Sequence, residues 1–254
     1  PAGVTTNAKP RRQGLRRLVG LISLLAFPVT MNWMSPAVSQ FGAWSGVVAG
    51  SVLFFAALFA SALFLGRGFC GWVCPAGAVG DLLRPLKDKR VRKGRWVKFV
   101  VWGLWFVLLV FGFHRNRPLT IDPLFFTESG VSVSEPRQYI IYGMVVAVFI
   151  VLALSVGRRG ACHTVCWMAP FMMAGRATGN FLKIPALRLR SKPERCTACG
   201  SCVAACPMSL NVTKMVKGGR PESLDCALCG ECVDLCPEEA LKFGFGLTLP
   251  GRSI

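Results

Sequence analysis

The sequence predicts an α-helical membrane protein with four transmembrane helices, followed by a small C-terminal α+β domain crowded with cysteine. Three observations predict this. Long apolar runs fill residues 18–156, basic stretches separate some of them, and eight of the twelve cysteines form two matching groups after residue 193.

A spanning helix needs about 20 mostly apolar residues. Segments 18–38, 44–65, 96–113 and 139–156 meet that rule. Helices in a soluble core would seldom be this apolar on every side. Lys98 stands near the start of the third span, where its chain can snorkel to the interface. Trp33, Trp44, Trp72, Trp96 and Tyr139 stand near span ends, as an aromatic belt requires. The basic start and the small residues Ala37 and Ser39 also fit a signal peptide. The run is long for one and reads as a retained helix.

The net charge of +18 is organised by position. Lys9, Arg11, Arg12, Arg16 and Arg17 precede span one; Arg84, Lys87, Lys89, Arg90, Arg92, Lys93 and Arg95 separate spans two and three; Arg158 and Arg159 follow span four. No Lys or Arg separates spans one and two. Between spans three and four, Arg115, Arg117 and Arg137 are offset by Asp122, Glu128 and Glu135. Positive loops stay inside, so the reading is a multi-pass protein of a bacterial or archaeal cytoplasmic membrane with both termini cytoplasmic. The expected organisation is a basic tail (1–17), the transmembrane domain (18–156), a cytoplasmic C-x3-C motif with an interfacial amphipathic linker (157–192), the cysteine-rich domain (193–246) and a tail (247–254). The charges interleave with lipid-facing runs and no nucleic-acid motif is present, so the partner is the lipid bilayer and no nucleic acid is expected.

Cysteines on the cytoplasmic side stay reduced, and tight groups of them point to metal rather than disulfides. Cys196-x2-Cys199-x2-Cys202-x3-Cys206-Pro207 is repeated as Cys226-x2-Cys229-x2-Cys232-x3-Cys236-Pro237. This is the run of a bacterial-type two-[4Fe–4S] ferredoxin domain. Three close thiolates take three corners of a cubane, and the fourth cysteine of each run ligates the other cluster. One cluster is therefore expected on Cys196, Cys199, Cys202 and Cys236, the second on Cys226, Cys229, Cys232 and Cys206. Zinc ribbons draw four ligands from two paired knuckles and do not fit this spacing. Gly200 and Gly230 are expected to let the backbone approach a cluster. Lys192, Arg195, Lys214, Lys217 and Arg220 surround the motifs and favour the more negative, reduced state.

Four cysteines remain. Cys70-x3-Cys74-Pro75 closes span two, and Cys162-x3-Cys166 follows span four. Residues four apart share a helix face, so each pair can present two sulfurs at the same membrane side. They read either as small packed residues or as one further site, a metal centre or a redox-active dithiol.

The order of these parts, with Phe69-Cys70-Gly71-Trp72-Val73-Cys74-Pro75 as its most specific motif, resembles the NapH/MauN family of ferredoxin-type membrane proteins, related to the membrane cores of NosR and CcoG. Cys70 and Cys74 match the family's C-x3-C-P motif. Cys162 and Cys166 match in part, because the chain continues Cys166-Trp167-Met168-Ala169-Pro170. The resemblance implies exchange of electrons with quinone or quinol and with other redox protein subunits.

Only two histidines are present. His114 and His163 are expected roughly 30 Å apart, too far to share a haem. No covalent-haem motif or dinucleotide fingerprint occurs, and the spans lack acids, which argues against a proton pump. His163 reads as a supporting or interfacial residue. Residues 167–183, with Met168, Phe171, Met172, Met173, Phe181 and Leu182, read as an amphipathic helix in contact with lipid or walling a quinone pocket. The expected function is that of an electron-transfer subunit with a quinol dehydrogenase or quinone reductase role. The alternatives are a maturation factor that reduces a client's metal centre, and a redox sensor.

Overall fold

The computed structural model describes residues 10–91, 94–117, 119–219 and 222–247. Lys9, Arg92, Lys93, Arg220, most of the expected 1–17 tail and nearly all of the 247–254 tail lie outside the described residues.

The chain opens with α1 (Pro10–Leu25), α2 (Phe27–Thr30), a 3-10 turn (Asn32–Met34) and α3 (Pro36–Trp44). The expected span over 18–38 is thus not one helix. Pro28 has no N–H to continue the ladder of α1, and Pro36 opens a new helix capped by Ser35, whose hydroxyl accepts from the Val38 amide. The break is held from outside: the Ser132 hydroxyl accepts from the Asn32 amide at 2.9 Å and donates to the Val29 carbonyl at 2.6 Å.

A short strand β1 (Val47–Ala49) leads into α4 (Gly50–Leu65), so segment 44–65 is continuously helical only from Gly50. Then come α5 (Gly68–Trp72), α6 (Pro75–Leu82) and α7 (Val97–Arg115). Strand β2 (Thr120–Asp122) pairs in parallel with β1, and α8 (Pro136–Val156) follows. Pro136 and a reciprocal Glu135–Gln138 capping box fix the start of α8. α7 and α8 are long and apolar enough to cross a membrane, and most of their surface is unburied, unlike the core helices of a soluble protein. α4 is a shorter apolar helix.

Beyond α9 (Gly160–Thr164) lies α10 (Met168–Phe181). The expectation was an interfacial helix. Instead α10 packs along α4 in the same direction. Phe171 stacks on Phe55 with ring centroids 5.4 Å apart, and a Cβ on Gly175 or Gly179 would come within 2.4 Å or 3.0 Å of the Phe59 or Leu63 carbonyl oxygen. Small residues four apart let two backbones meet this closely. Phe181 and Leu182 remain exposed.

Strand β3 (Ala186–Ser191) pairs antiparallel with the last strand, β4 (Leu241–Gly246), and between them lie α11 (Ser201–Ala205), α12 (Val212–Lys217) and α13 (Glu231–Asp234). The cysteine-rich domain therefore begins at residue 186, seven residues before its expected start, because β3 closes its sheet.

This domain is docked on the helices. Trp72 donates to the Leu228 carbonyl at 3.1 Å, and a Cβ on Gly71 would lie 2.1 Å from the Ala227 carbonyl oxygen. Arg16 bridges Asp81 of α6 and Glu231 of α13. Arg84 and Arg158 donate to the Ala204 carbonyl, and Arg95 to that of Met208. Lys98 does not snorkel; it is fully buried in an ion pair with Asp225. The basic segments read as topology signals are also the docking surface.

Candidate functional site

Each ligand run wraps a cavity, and the two wrappings repeat. Cys196–Gly200 and Cys226–Gly230 both place a left-handed residue between the first two cysteines, Ala198 at φ 59° and Leu228 at φ 51°, and both end on a glycine at φ 81°. Gly200 and Gly230 are thus required by conformation. A Cβ on Gly200 would meet nothing within 4 Å, so close approach is not the reason there. Short helices α11 and α13 carry the third cysteines, Cys202 and Cys232.

Cys196, Cys199, Cys202 and Cys236 line one cavity. Cys206, Cys226, Cys229 and Cys232 line a second, with apolar Leu189, Met208, Leu210 and Val212. Among the described residues, no group of three or more His, Cys, Asp or Glu side chains could hold a single metal ion. Four sulfurs spread around a cavity suit a polynuclear iron–sulfur cluster, and the donor set fits one.

The two cavities differ in surroundings. In the first, Cys199 is exposed and the Ser201 hydroxyl, 3.5 Å away, holds its thiol below the usual range. The Thr213 hydroxyl lies 3.5 Å from Cys202, and the Ala240 amide donates to Cys236 at 3.3 Å. In the second, burial pushes Cys226 up to about 11 and Cys229 up to about 12. Binding iron there must expel these protons. The second cavity adjoins the helices, since Gln13 donates to the Cys229 carbonyl and Trp72 to that of Leu228.

The other four cysteines are brought together as well. Cys70, Cys74 and Cys162 are buried and Cys166 is half-buried. Burial first, and then the neighbouring charges of Cys70, Cys162 and Cys166, raise the Cys74 thiol; Cys166 is pushed up to about 12 by burial and then by Cys162 and Cys70. Cys70 Sγ lies 3.5 Å from Met172 Sδ of α10.

Sequence reasoning missed the arginines here. Gly66-Arg67-Gly68-x-Cys70-x-x-Val73-Cys74 and Gly157-Arg158-Arg159-Gly160-x-Cys162-x-x-Val165-Cys166 are one motif written twice. Each follows an apolar helix that ends at a positive-φ glycine, Gly66 or Gly157, and each folds as a five-residue helix, α5 or α9. Arg67 and Arg159 are both 2% exposed. Arg159 donates to the Cys70 carbonyl at 2.9 Å, tying one copy to the other, and pairs with Asp81. Arg67 pairs with Asp225 at 3.5 Å, while its Nε and Nη2 have no partner. His163 is fully buried rather than interfacial, with neither ring nitrogen partnered, and burial then Arg95 lower it to about 3.

An open cleft of about 680 Å³ lies between α1, α5, α6 and the cysteine-rich domain. Its walls include Leu21, Trp72, Cys74, Leu82, Arg84 and Leu235.

Paired four-sulfur cavities in a small α+β domain define a ferredoxin-type 4Fe–4S electron-transfer protein. The family described as a 4Fe-4S dicluster domain matches residues 195–241, and the one described as a 4Fe-4S binding domain matches residues 47–93. The chain is similar to the MauN ferredoxin-type proteins, in line with the NapH/MauN resemblance. It is 28% identical over 239 residues to the methylamine utilization ferredoxin-type protein MauN of Methylorubrum extorquens, covering 80% of this chain and 77% of that one. It is 25% identical over 188 residues to YccM of Escherichia coli, covering 69% and 51%, and 28% identical over 178 residues to the regulatory protein NosR of Pseudomonas aeruginosa, covering 65% and 23%. The chain spans about half the length of YccM (51%) and of MauN from Methylobacillus flagellatus (50%). No solved structure matches it.

Proposed function

We propose that this chain is a quinone-linked electron carrier of a cytoplasmic membrane, multi-pass with both termini inside, exchanging electrons between quinol and a redox protein. Its clusters take the crossed sets: Cys196, Cys199, Cys202 and Cys236 for one, Cys226, Cys229, Cys232 and Cys206 for the other. When bound, they supply one-electron transfer, and a quinol that becomes quinone releases two electrons and two protons.

The observation that carries this reading is the graded burial of the two sulfur sets. The second abuts the apolar helices, while the first opens to solvent at Cys199 among the exposed cations Lys192, Arg195, Lys214 and Lys217. That face suits an acidic redox partner. The open cleft supports entry of a quinone headgroup, since its apolar residues lead from Leu21 of α1 past Trp72 to Cys74 and Leu235, with Arg16, Arg84 and Arg159 on its polar side.

The test uses proteoliposomes containing a reduced quinone analogue. Wild type should develop reduced-cluster EPR signals. Leu21→Trp, which fills the cavity, and Cys70→Ser with Cys74→Ser should not, while dithionite still reduces the clusters in both. A wild type that quinol leaves oxidised refutes the reading.

A further inference from the structure

We propose that Cys70, Cys74, Cys162 and Cys166 together hold a third iron–sulfur cluster, built across the two copies of the Arg-Gly-x-Cys-x-x-Val-Cys motif. This deepens the proposed electron route, resting on that reading for its purpose but not for its metal content.

Three observations carry it. The first is the repeat itself. Two motifs 92 residues apart, each hung from an apolar helix, fold alike and meet, with Arg159 of one bonded to the Cys70 carbonyl of the other. Each copy offers two thiols, and a cluster with full cysteine ligation needs four.

The second is a charge answered only in part, because Arg67 shares the Asp225 carboxylate with Lys98 and Arg95. Arg67 is 2% exposed, lies within electrostatic reach of Cys70, Cys166 and Cys162, and keeps two nitrogens without partners. A buried guanidinium with idle donors is costly unless an anion answers it. Four thiolates around a cubane in its oxidised state give a net negative unit of that kind. His163, fully buried with both ring nitrogens unpartnered, is a second idle polar group beside Cys162.

The third is the nature of the metal. Residues 47–93 match a 4Fe-4S binding domain yet contain only Cys70 and Cys74, so other ligands must come from elsewhere. As in the ferredoxin cavities, the sulfurs do not gather around a single ion. Sulfur-only ligation selects zinc or iron–sulfur, and spread sulfurs favour the cluster. The centre would take up one electron and release one, with no bond made or broken. Its place is between α4, α5, α9 and α10, with Ala227 and Leu228 of the second ligand loop packed against Gly71 and Gly66.

The experiment is an iron and acid-labile sulfide count on anaerobically reconstituted full-length protein. Three cubanes give about twelve of each per chain, two give about eight. The variant changing all four cysteines to serine should lose about four iron while the twin-cluster EPR signals persist, which also reports that it has folded. Mössbauer spectra of wild type, which need no variant, should account for about twelve cluster irons per chain, about half as many again as two cubanes hold. About eight iron in wild type, or one zinc per chain, overturns the third cluster and leaves the twin-cluster reading standing. Fewer than eight overturns both.

Discussion

Cys206 stands four residues from Cys202, yet it lines the cavity of the other run, beside Cys226, Cys229 and Cys232. The sequence expects Cys206 to serve the other cluster, because the fourth cysteine of a two-cluster run ligates the cluster it does not begin. Cys206→Ala should therefore weaken or remove the cluster of the second run and spare the first, read as selective loss of one EPR component. Selective loss of the cluster on Cys196, Cys199 and Cys202 would reverse the assignment. The arginines were not legible in the same way. Seen alone, Arg67 and Arg159 look like inside-positive residues at the ends of apolar runs; only the fold shows both buried, one answering Asp81. Burial alone would raise the Asp81 carboxyl, but Arg159 and Arg16 outweigh it and hold it below the usual range. A carboxylate depressed in the folded state contributes stability above its unfolded value of about 3.9, and that stability fades as pH falls through the lower folded value. Asp81→Asn should cost about 3–5 kcal/mol near neutrality, since buried Arg159 loses its carboxylate partner and Arg16 keeps only Glu231. The thermal midpoint of the variant should also fall less steeply than that of wild type below about pH 4. Parallel profiles would show that Asp81 does not contribute in this way.

Among the elements, α7 and α8 have ends within three residues of the expected segments 96–113 and 139–156, because a uniformly apolar run of that length favours a single long helix. The run over 18–38 was misread because hydropathy ignores backbone donors: Pro28 and Pro36 are apolar, yet each ends one helix or starts another. α10 was misread for the opposite reason. Its methionines suggested a lipid-facing helix, whereas Gly175 and Gly179, four apart, were the signal for close packing on α4. Gly175→Leu should cost at least the roughly 1–3 kcal/mol of an overpacked core and lower the melting midpoint by a few degrees or more. Ala174→Leu, at an exposed position one residue away, should leave the midpoint unchanged. Equal effects from the two would mean that the α4–α10 contact does not limit stability.

At the scale of the whole molecule, the basic segments and the ferredoxin domain determine one another's side. Arg16 from α1, Arg84 from the loop after α6, Lys98 from the foot of α7 and Arg158 after α8 all reach the ferredoxin domain. Those four points must therefore share one face. α7 and α8 have 19 and 21 residues, so each rises roughly 30 Å, enough to cross the hydrocarbon core. The loop joining their far ends, residues 116–135, lies away from that face, tied to the broken start of the chain through Ser132 and Asn32. Lysine and arginine concentrate on the ferredoxin side, which the positive-inside bias assigns to the cytoplasm. A fluorescent protein fused after Ile254 should thus mature inside the cell, while alkaline phosphatase inserted near Ser129 should be active in the outer compartment. Burial of the docking ion pairs makes the result robust to any single charge change, because flipping one helix would have to carry the whole docked domain with it. If both reporters fall on the same side of the membrane, α7 and α8 do not cross it, and a quinone route through these helices fails with them.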